Sequence, residues 1–202
     1  MDKDQIAQFE SYVFETLNSK IMAADFFADF IGVLIDVKPA MAWFYRKKYY
    51  PKLETREFQR MIKGLGLSVL PGRRRLPMSK WPWAYERLFF ISKDMETAEK
   101  LKAGFKRLHG SKSSKEAMEK ATYEIGMLLG YPETAVKNFV TETDYNNKER
   151  VERMKRNRYY AHSPEHEEEE YRAYDRKINE AIEEYAPKTK SVLTAEVGKR
   201  WL

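Results

Sequence analysis

The pattern of apolar residues in the first 40 positions of the chain predicts two helices. Apolar residues recur at three- and four-residue steps from Ile6 to Leu17, which predicts an amphipathic helix over residues 3–18. Residues 21–37 form a nearly continuous apolar run with three phenylalanines. A run of that length predicts a buried helix at the centre of the core.

Proline and glycine divide the next part of the chain. Pro39 predicts the start of a third helix, which continues into the basic residues that follow and ends at Pro51. Residues 52–63 predict another helix, closed by Gly64 or Gly66. The first third of the chain is therefore predicted to be helical.

A different pattern begins at residue 67. Apolar residues over 67–70 and Leu76, on either side of Pro71 and Gly72, predict two short strands around a turn. The apolar run within residues 87–92 predicts a third strand. We expect a two- or three-stranded antiparallel hairpin around residues 67–92.

Helical spacing returns in the second half of the chain. Ser113 and Glu116 have the spacing of a capping box, which marks the start of one of the helices. Pro132 starts another. The predicted helices cover residues 94–108, 114–129, 132–142, 144–160 and 164–186, of which the last two are long and polar.

These elements predict a mainly α fold with a small β element (α+β), arranged as one compact domain. Residues 1–142 form the helical core, with the basic hairpin 67–92 inserted and a helix-turn-helix-like corner over 118–142. The long polar helices occupy residues 143–186. Residues 187–202 are a C-terminal tail whose docking the pattern does not decide.

Composition limits the classes to which the chain can belong. Its 202 residues are 43% hydrophobic and 34% charged, which indicates a globular chain with a sizeable core and a soluble surface. The absence of cysteine excludes disulfides and thiolate metal sites. The sequence has no run of about 18 apolar residues and no signal-peptide pattern. We therefore expect no membrane contact and a cytoplasmic location.

Positive charge is concentrated in the middle of the chain. Residues 42–110 contain 17 Lys and Arg against 6 Asp and Glu, a net charge of +11, whereas the whole chain has +6. Basic side chains bind phosphate and aromatic rings stack on bases, so their mixture predicts a nucleic-acid site. The candidate residues are Arg46, Lys47, Lys48, Tyr49, Arg73, Arg74, Arg75, Lys80, Trp81 and Trp83.

Two other features bear on this charge. Arg153, Arg156 and Arg158 form a second basic patch, although cations at the end of a helix also complement its dipole. The acidic run from Glu165 to Glu170 could instead neutralise the basic residues, within the chain or across a homodimer. The partner of the basic residues is therefore nucleic acid or an acidic protein surface.

Residues 118–142 resemble the helix-turn-helix unit of transcription regulators. Gly126 lets two helices approach, Gly130 accepts a positive φ in the turn, and Val136 packs the second helix on the first. The resemblance implies a recognition helix whose outward residues meet base edges in a major groove: Glu133, Thr134, Lys137 and Asn138. One lysine beside a glutamate is, however, a poor complement to phosphate.

The Gly130, Tyr131 and Pro132 corner also resembles an uncharacterised archaeal protein family. That resemblance implies no known activity.

Catalytic patterns are weak in this sequence. His162 and His166 have a spacing that could hold a metal ion on one helix, but Pro164 between them breaks that helix. We therefore predict no metal site and no cofactor. Three carboxylates could form an acidic enzyme site beside the aromatic core: Asp25, Asp29 and Asp36.

The sequence thus predicts a non-catalytic nucleic-acid-binding protein. Structured RNA or a ribosome-associated role is favoured over duplex DNA, because basic and aromatic residues interleave around a turn. Three alternatives stay open. They are a helix-turn-helix regulator of transcription, an assembly or dimerisation factor that uses the polar helices 144–186, and an enzyme with the acidic site.

Overall fold

Helices predominate around one small sheet, so the predicted mainly α fold with a small β element is confirmed. The computed structural model describes residues 2–45, 52–72, 87–108, 114–141 and 165–200. Its strands are β1 (Ala40–Tyr45), β2 (Ser68–Pro71) and β3 (Arg87–Ser92).

The helices follow the predicted bounds closely in the first two thirds of the chain. They are α1 (Lys3–Thr16), α2 (Lys20–Leu34), α3 (Thr55–Gly64), α4 (Met95–Leu108), α5 (Lys115–Leu128) and α6 (Glu133–Thr141). The C-terminal part contains α7 (Glu167–Glu170), a π-helical segment (Tyr171–Asp175), α8 (Arg176–Tyr185) and α9 (Pro187–Arg200).

The sheet has the order β1-β3-β2, and both outer strands run antiparallel to β3. Ala42 and Leu70 lie opposite the same residue, Phe90, from its two sides. Successive side chains of a strand point to opposite faces. Phe89 and Ile91 accordingly face one hydrophobic cluster, and Leu88 and Phe90 face another.

Helices cover both faces of the sheet. On one face α1, α2, α3 and α8 enclose a cluster rich in phenylalanine, with α2 buried at its centre. On the other face α4 and α5 pack on a smaller cluster around Ala40, Leu88 and Leu101. β3 is buried along most of its length because it is covered on both sides.

Caps at the ends of α1 and α2 match the sequence pattern. The Asp2 carboxylate accepts hydrogen bonds from the Asp4 and Gln5 backbone N–H groups at 3.0 and 3.3 Å. Ser19 caps α2 in the same way through the Met22 N–H. These side chains satisfy donors that a helix cannot pair internally, so each helix begins where the apolar repeat begins.

The helix predicted to start at Pro39 is wrong, because residues 40–45 form β1. Ala40 and Met41 favour helix by propensity. The strand is stabilised instead by its ladder with β3, in which Ala40 lies opposite Ser92 and Tyr45 opposite Arg87. Side-chain packing on both faces of the sheet has overridden local preference.

Two smaller predictions also need correction. β2 does not turn at Pro71 and Gly72, since the Gly72 N–H still donates to the Leu88 carbonyl at 2.8 Å. The predicted strand at Leu76 lies outside the described residues. The cap of α5 is Ser114, whose hydroxyl accepts from the Ala117 N–H, and not Ser113.

The residues that we expected as a C-terminal tail contain a docked helix. α9 packs on α2, and Leu193 is buried against the phenylalanine-rich cluster. The buried carboxylate of Glu10 accepts hydrogen bonds from the Lys188 and Thr189 N–H groups, at 3.4 and 2.7 Å, at the start of this helix. The predicted helix 144–160 lies outside the described residues.

Candidate nucleic-acid interface

Strand direction brings three strand ends to one end of the sheet. β1 and β2 both run antiparallel to β3, so they end where β3 begins. Tyr45, the last residue of β1, lies opposite Arg87, the first residue of β3. Pro71, the last residue of β2, lies opposite Phe89. We call this the strand-exit end of the sheet.

The two basic segments of the sequence are attached at the strand-exit end. Residues 46–51 directly follow β1, and residues 73–86 connect β2 to β3. Together these 20 residues contain seven Lys and Arg and one Glu. All ten candidate nucleic-acid-binding residues fall in these two segments and lie outside the described residues, as do Arg153, Arg156 and Arg158.

The opposite end of the sheet is built differently. Only two residues separate β3 from α4, and the Asp94 carboxylate there accepts hydrogen bonds from the Thr97 N–H at 2.7 Å and the Thr97 hydroxyl at 2.8 Å. These hydrogen bonds lower the pKa of Asp94. Lys93 pairs with Asp36 at 2.5 Å. Asp94, Lys93 and Asp36 are therefore engaged in local contacts at this end.

The glycine corner between α5 and α6 has the predicted internal geometry. A Cβ on Gly126 would lie 2.8 and 2.9 Å from the two methyl carbons of Val136, so only glycine allows this approach. Gly130 has φ of +78°, in the left-handed region that favours glycine. The two helices therefore approach closely at Gly126, and the chain turns between them at Gly130.

The outer side of that corner is occupied by the protein itself. A Cβ on Gly130 would lie 2.9 Å from Cδ of Pro39 and 3.0 Å from Cα of Lys38. Thr134, at the start of α6, donates a hydrogen bond to Glu170 of α7. In helix-turn-helix proteins the start of the second helix meets the bases. Here that position is hydrogen-bonded to α7.

The other outward residues of α6 are exposed and largely paired. Lys137 forms an ion pair with Glu133 at 2.7 Å, and Glu133 also accepts a hydrogen bond from Tyr123 at 3.0 Å. Hydrogen bonding to Glu133 raises the pKa of Lys137. Asn138 is exposed on the same face. The face has little net positive charge with which to attract phosphate.

Two of the three candidate carboxylates pair with lysines. Asp36 pairs with Lys93, and Asp29 forms an ion pair and hydrogen bond with Lys38. Asp25 is exposed on α2. No group of three His, Asp or Glu side chains within the described parts of the chain is placed to hold a metal ion.

Lys38 is a candidate functional residue that the sequence pattern did not identify. Its side chain is only 5% exposed, and its ammonium lies 5.9 Å from the centre of the Tyr131 ring. Burial is the largest single influence and opposes the charge of Lys38, but Asp29, Tyr131 and Asp175 together outweigh it, so the pKa of Lys38 is raised. One signal was visible: Lys38 is the only basic residue between Lys20 and Arg46.

Comparison of the chain with protein-family models, curated proteins and solved structures gives no match. Among the described helices, none combines the length and the apolar character that crossing a membrane requires.

Proposed function

We propose that this protein binds nucleic acid, RNA ahead of duplex DNA, and that it acts by binding and not by catalysis. The supporting observation is the place where the two basic segments join the sheet. They are separated in the sequence by α3 and β2, yet both are attached at the strand-exit end of the sheet. A polyanion is attracted most strongly where charges from separate segments add.

RNA is favoured because aromatic residues are interleaved with the basic ones. Tyr49, Trp81 and Trp83 belong to the same two segments as the arginines and lysines. Proteins recognise unpaired RNA bases largely by stacking on aromatic rings, whereas a regular duplex keeps its bases stacked inside. A structured RNA with accessible loops, such as ribosomal RNA, fits this combination.

The test is RNA binding by fluorescence anisotropy across a salt series. The variant replaces Arg73, Arg74 and Arg75 with alanine. We expect at least a tenfold loss of affinity, and a fall of about 2 in the slope of log affinity against log salt, because each phosphate contact on a single strand contributes about 0.7. The melting temperature should stay nearly unchanged, since the substitution is aimed at ligand contacts.

A matched control removes the same amount of charge elsewhere. Lys93 directly follows β3 at the opposite end of the sheet, Lys63 lies in the last turn of α3, and Lys100 lies in the second turn of α4. Replacing these three exposed lysines with alanine should leave the salt slope close to that of the wild type. Equal losses from both triple variants, or no RNA binding by the wild type at low salt, would contradict the proposal.

A helix-turn-helix regulator is the second candidate, favoured by the observed packing of Gly126 on Val136 and by the turn at Gly130. It requires α6 to enter a major groove. Substitution of Lys137 and Asn138 by alanine distinguishes the two functions. Loss of sequence-specific binding to duplex DNA would support the helix-turn-helix regulator. Unchanged RNA binding would support an RNA site at the strand-exit end.

A further inference from the structure

An apolar cavity lies where α4, α5 and α6 meet. Its volume is about 270 Å³, and the three helices contribute to its walls through Leu108, Ile125 and Val136 respectively. Gly126 lines the same cavity with backbone alone, because Val136 fills the space that a Cβ would take. The close contact between α5 and α6 therefore borders an open space between the helices.

The lining of this cavity carries no charge. None of the described residues that line it is Asp, Glu, Lys, Arg or His, and their polar side-chain atoms belong to Thr122 and Tyr131. Burial raises the pKa of Tyr131, so its phenol stays protonated at pH 7. An ion that entered would lose its hydration without gaining a partner of opposite charge. The lining therefore selects an uncharged ligand.

The cavity is recessed but has a mouth. Ile125, Ala135 and Val136 are at most 7% exposed, whereas Phe139 is 37% exposed. Apolar cavities of about 150 Å³ take up a benzene-sized molecule. A cavity of about 270 Å³ has room for a second fused ring. A peptide helix with its side chains is about 10 Å across, which is too wide for this space.

We infer that the cavity between α4, α5 and α6 binds a small uncharged aromatic molecule of one or two rings. Tyr131 and Phe139 supply rings against which such a ligand packs. The Thr122 hydroxyl donates to the Met118 carbonyl at 2.8 Å, which leaves its oxygen able to accept a hydrogen bond from a ring N–H. The inference does not depend on the proposed binding of RNA.

The test is isothermal titration calorimetry of the full chain with indole, an uncharged probe of two fused rings. We expect a dissociation constant on the order of 0.1–1 mM, as is reasonable for a ligand of so few atoms. Indole-3-carboxylate has the same rings and a negative charge, and it should bind at least about tenfold more weakly. Equal affinities for the two probes would contradict the selection of an uncharged ligand.

Two substitutions locate the bound indole. Ala135→Leu adds carbon atoms to a residue that lines the cavity, and Ala117→Leu adds the same atoms to an exposed position of α5. We expect Ala135→Leu to weaken indole binding at least about tenfold and Ala117→Leu to match the wild type. Circular dichroism checks that both variants keep their helix content. Thr122→Leu fills the cavity from α5 and repeats the test if Ala135→Leu does not fold.

Three results would overturn the inference. The first is that the wild type does not bind indole. The second is that indole binds the cavity-filling variants as tightly as the wild type, which would place it elsewhere on the protein. The third is a dimer, measured by analytical ultracentrifugation, that Ala135→Leu dissociates, because a second copy of the chain would then occupy the cavity.

Discussion

The two faces of the sheet differ in how many aromatic rings fill them. The face toward α1, α2 and α3 is filled by large rings, and Phe9, Phe26, Phe30 and Phe58 are all buried there. The face toward α4 and α5 depends on small residues such as Ala98, Gly104 and Ala121, which let helices approach closely. One sheet can thus be covered mainly by aromatic rings on one face and by closely approaching helices on the other. The stability of the protein should therefore respond differently to substitutions on the two faces.

The largest effect is expected from removing a ring on the phenylalanine-rich face. Phe9 contacts four other rings, with centroid distances of 4.8 to 6.0 Å to Phe30, Phe27, Phe58 and Phe26. Phe9→Ala should lower the free energy of unfolding by about 3–5 kcal/mol, because the cavity cannot close among rigid neighbours. Urea denaturation followed by circular dichroism measures this change.

Phe105→Ala is the matched control on the second face. Phe105 is only half-buried and packs on Phe90. We expect Phe105→Ala to lower the free energy of unfolding by about 1–2 kcal/mol, because folding removes less apolar surface from water at position 105 than at position 9. Equal losses at Phe9 and Phe105 would show that the two faces do not differ in the way proposed.

A smaller loss of stability is expected from breaking the ion pair between Asp29 and Lys38. Asp29 of α2 pairs with buried Lys38, which lies against Tyr131 of the corner between α5 and α6. Asp29→Asn should lower the free energy of unfolding by about 2 kcal/mol at pH 7, because it leaves a buried ammonium without its carboxylate. Adding Lys38→Met to Asp29→Asn should recover part of that loss.

The same pair predicts a pH dependence. The pKa of Lys38 is raised above its ordinary value of 10.5, so its stabilising contribution is complete below pH 10.5 and is lost as pH rises through the folded-state pKa. The stability difference between the wild type and Asp29→Asn should therefore shrink as pH rises above 10.5. A difference that stays constant with pH would show that the ion pair is not its cause.

The smallest effect concerns the close approach of α5 and α6 at the glycine corner. A Cβ at position 126 would meet Val136 at 2.8 Å, whereas one at position 64 would meet nothing within 4 Å. Gly126→Ala should cost about 1 kcal/mol net, because overpacking exceeds the gain in helix propensity. Gly64→Ala should instead stabilise by about 0.5 kcal/mol. Thermal unfolding of both variants tests this difference in sign.

Local patterns predicted the elements whose packing agrees with their own preferences. α1, α2 and α3 have regular apolar repeats and capping or glycine signals, and they occur close to the predicted bounds. The glycine corner also follows local rules, since Gly130 needs a positive φ and Gly126 a close neighbour. The prediction of a helix at Pro39 was wrong because residues 40–45 are held by a ladder to a strand more than 40 positions away.

The sequence by itself determined the fold class, the local helix signals and the excess of positive charge in the middle of the chain. Only the tertiary structure decided where those charges are attached, because strand direction follows from pairing between distant residues. It also decided that Lys38 is buried, that α9 docks on α2, and that α4 packs on the sheet. Hydrophobic periodicity reports which side of an element is buried, but not which distant element covers it.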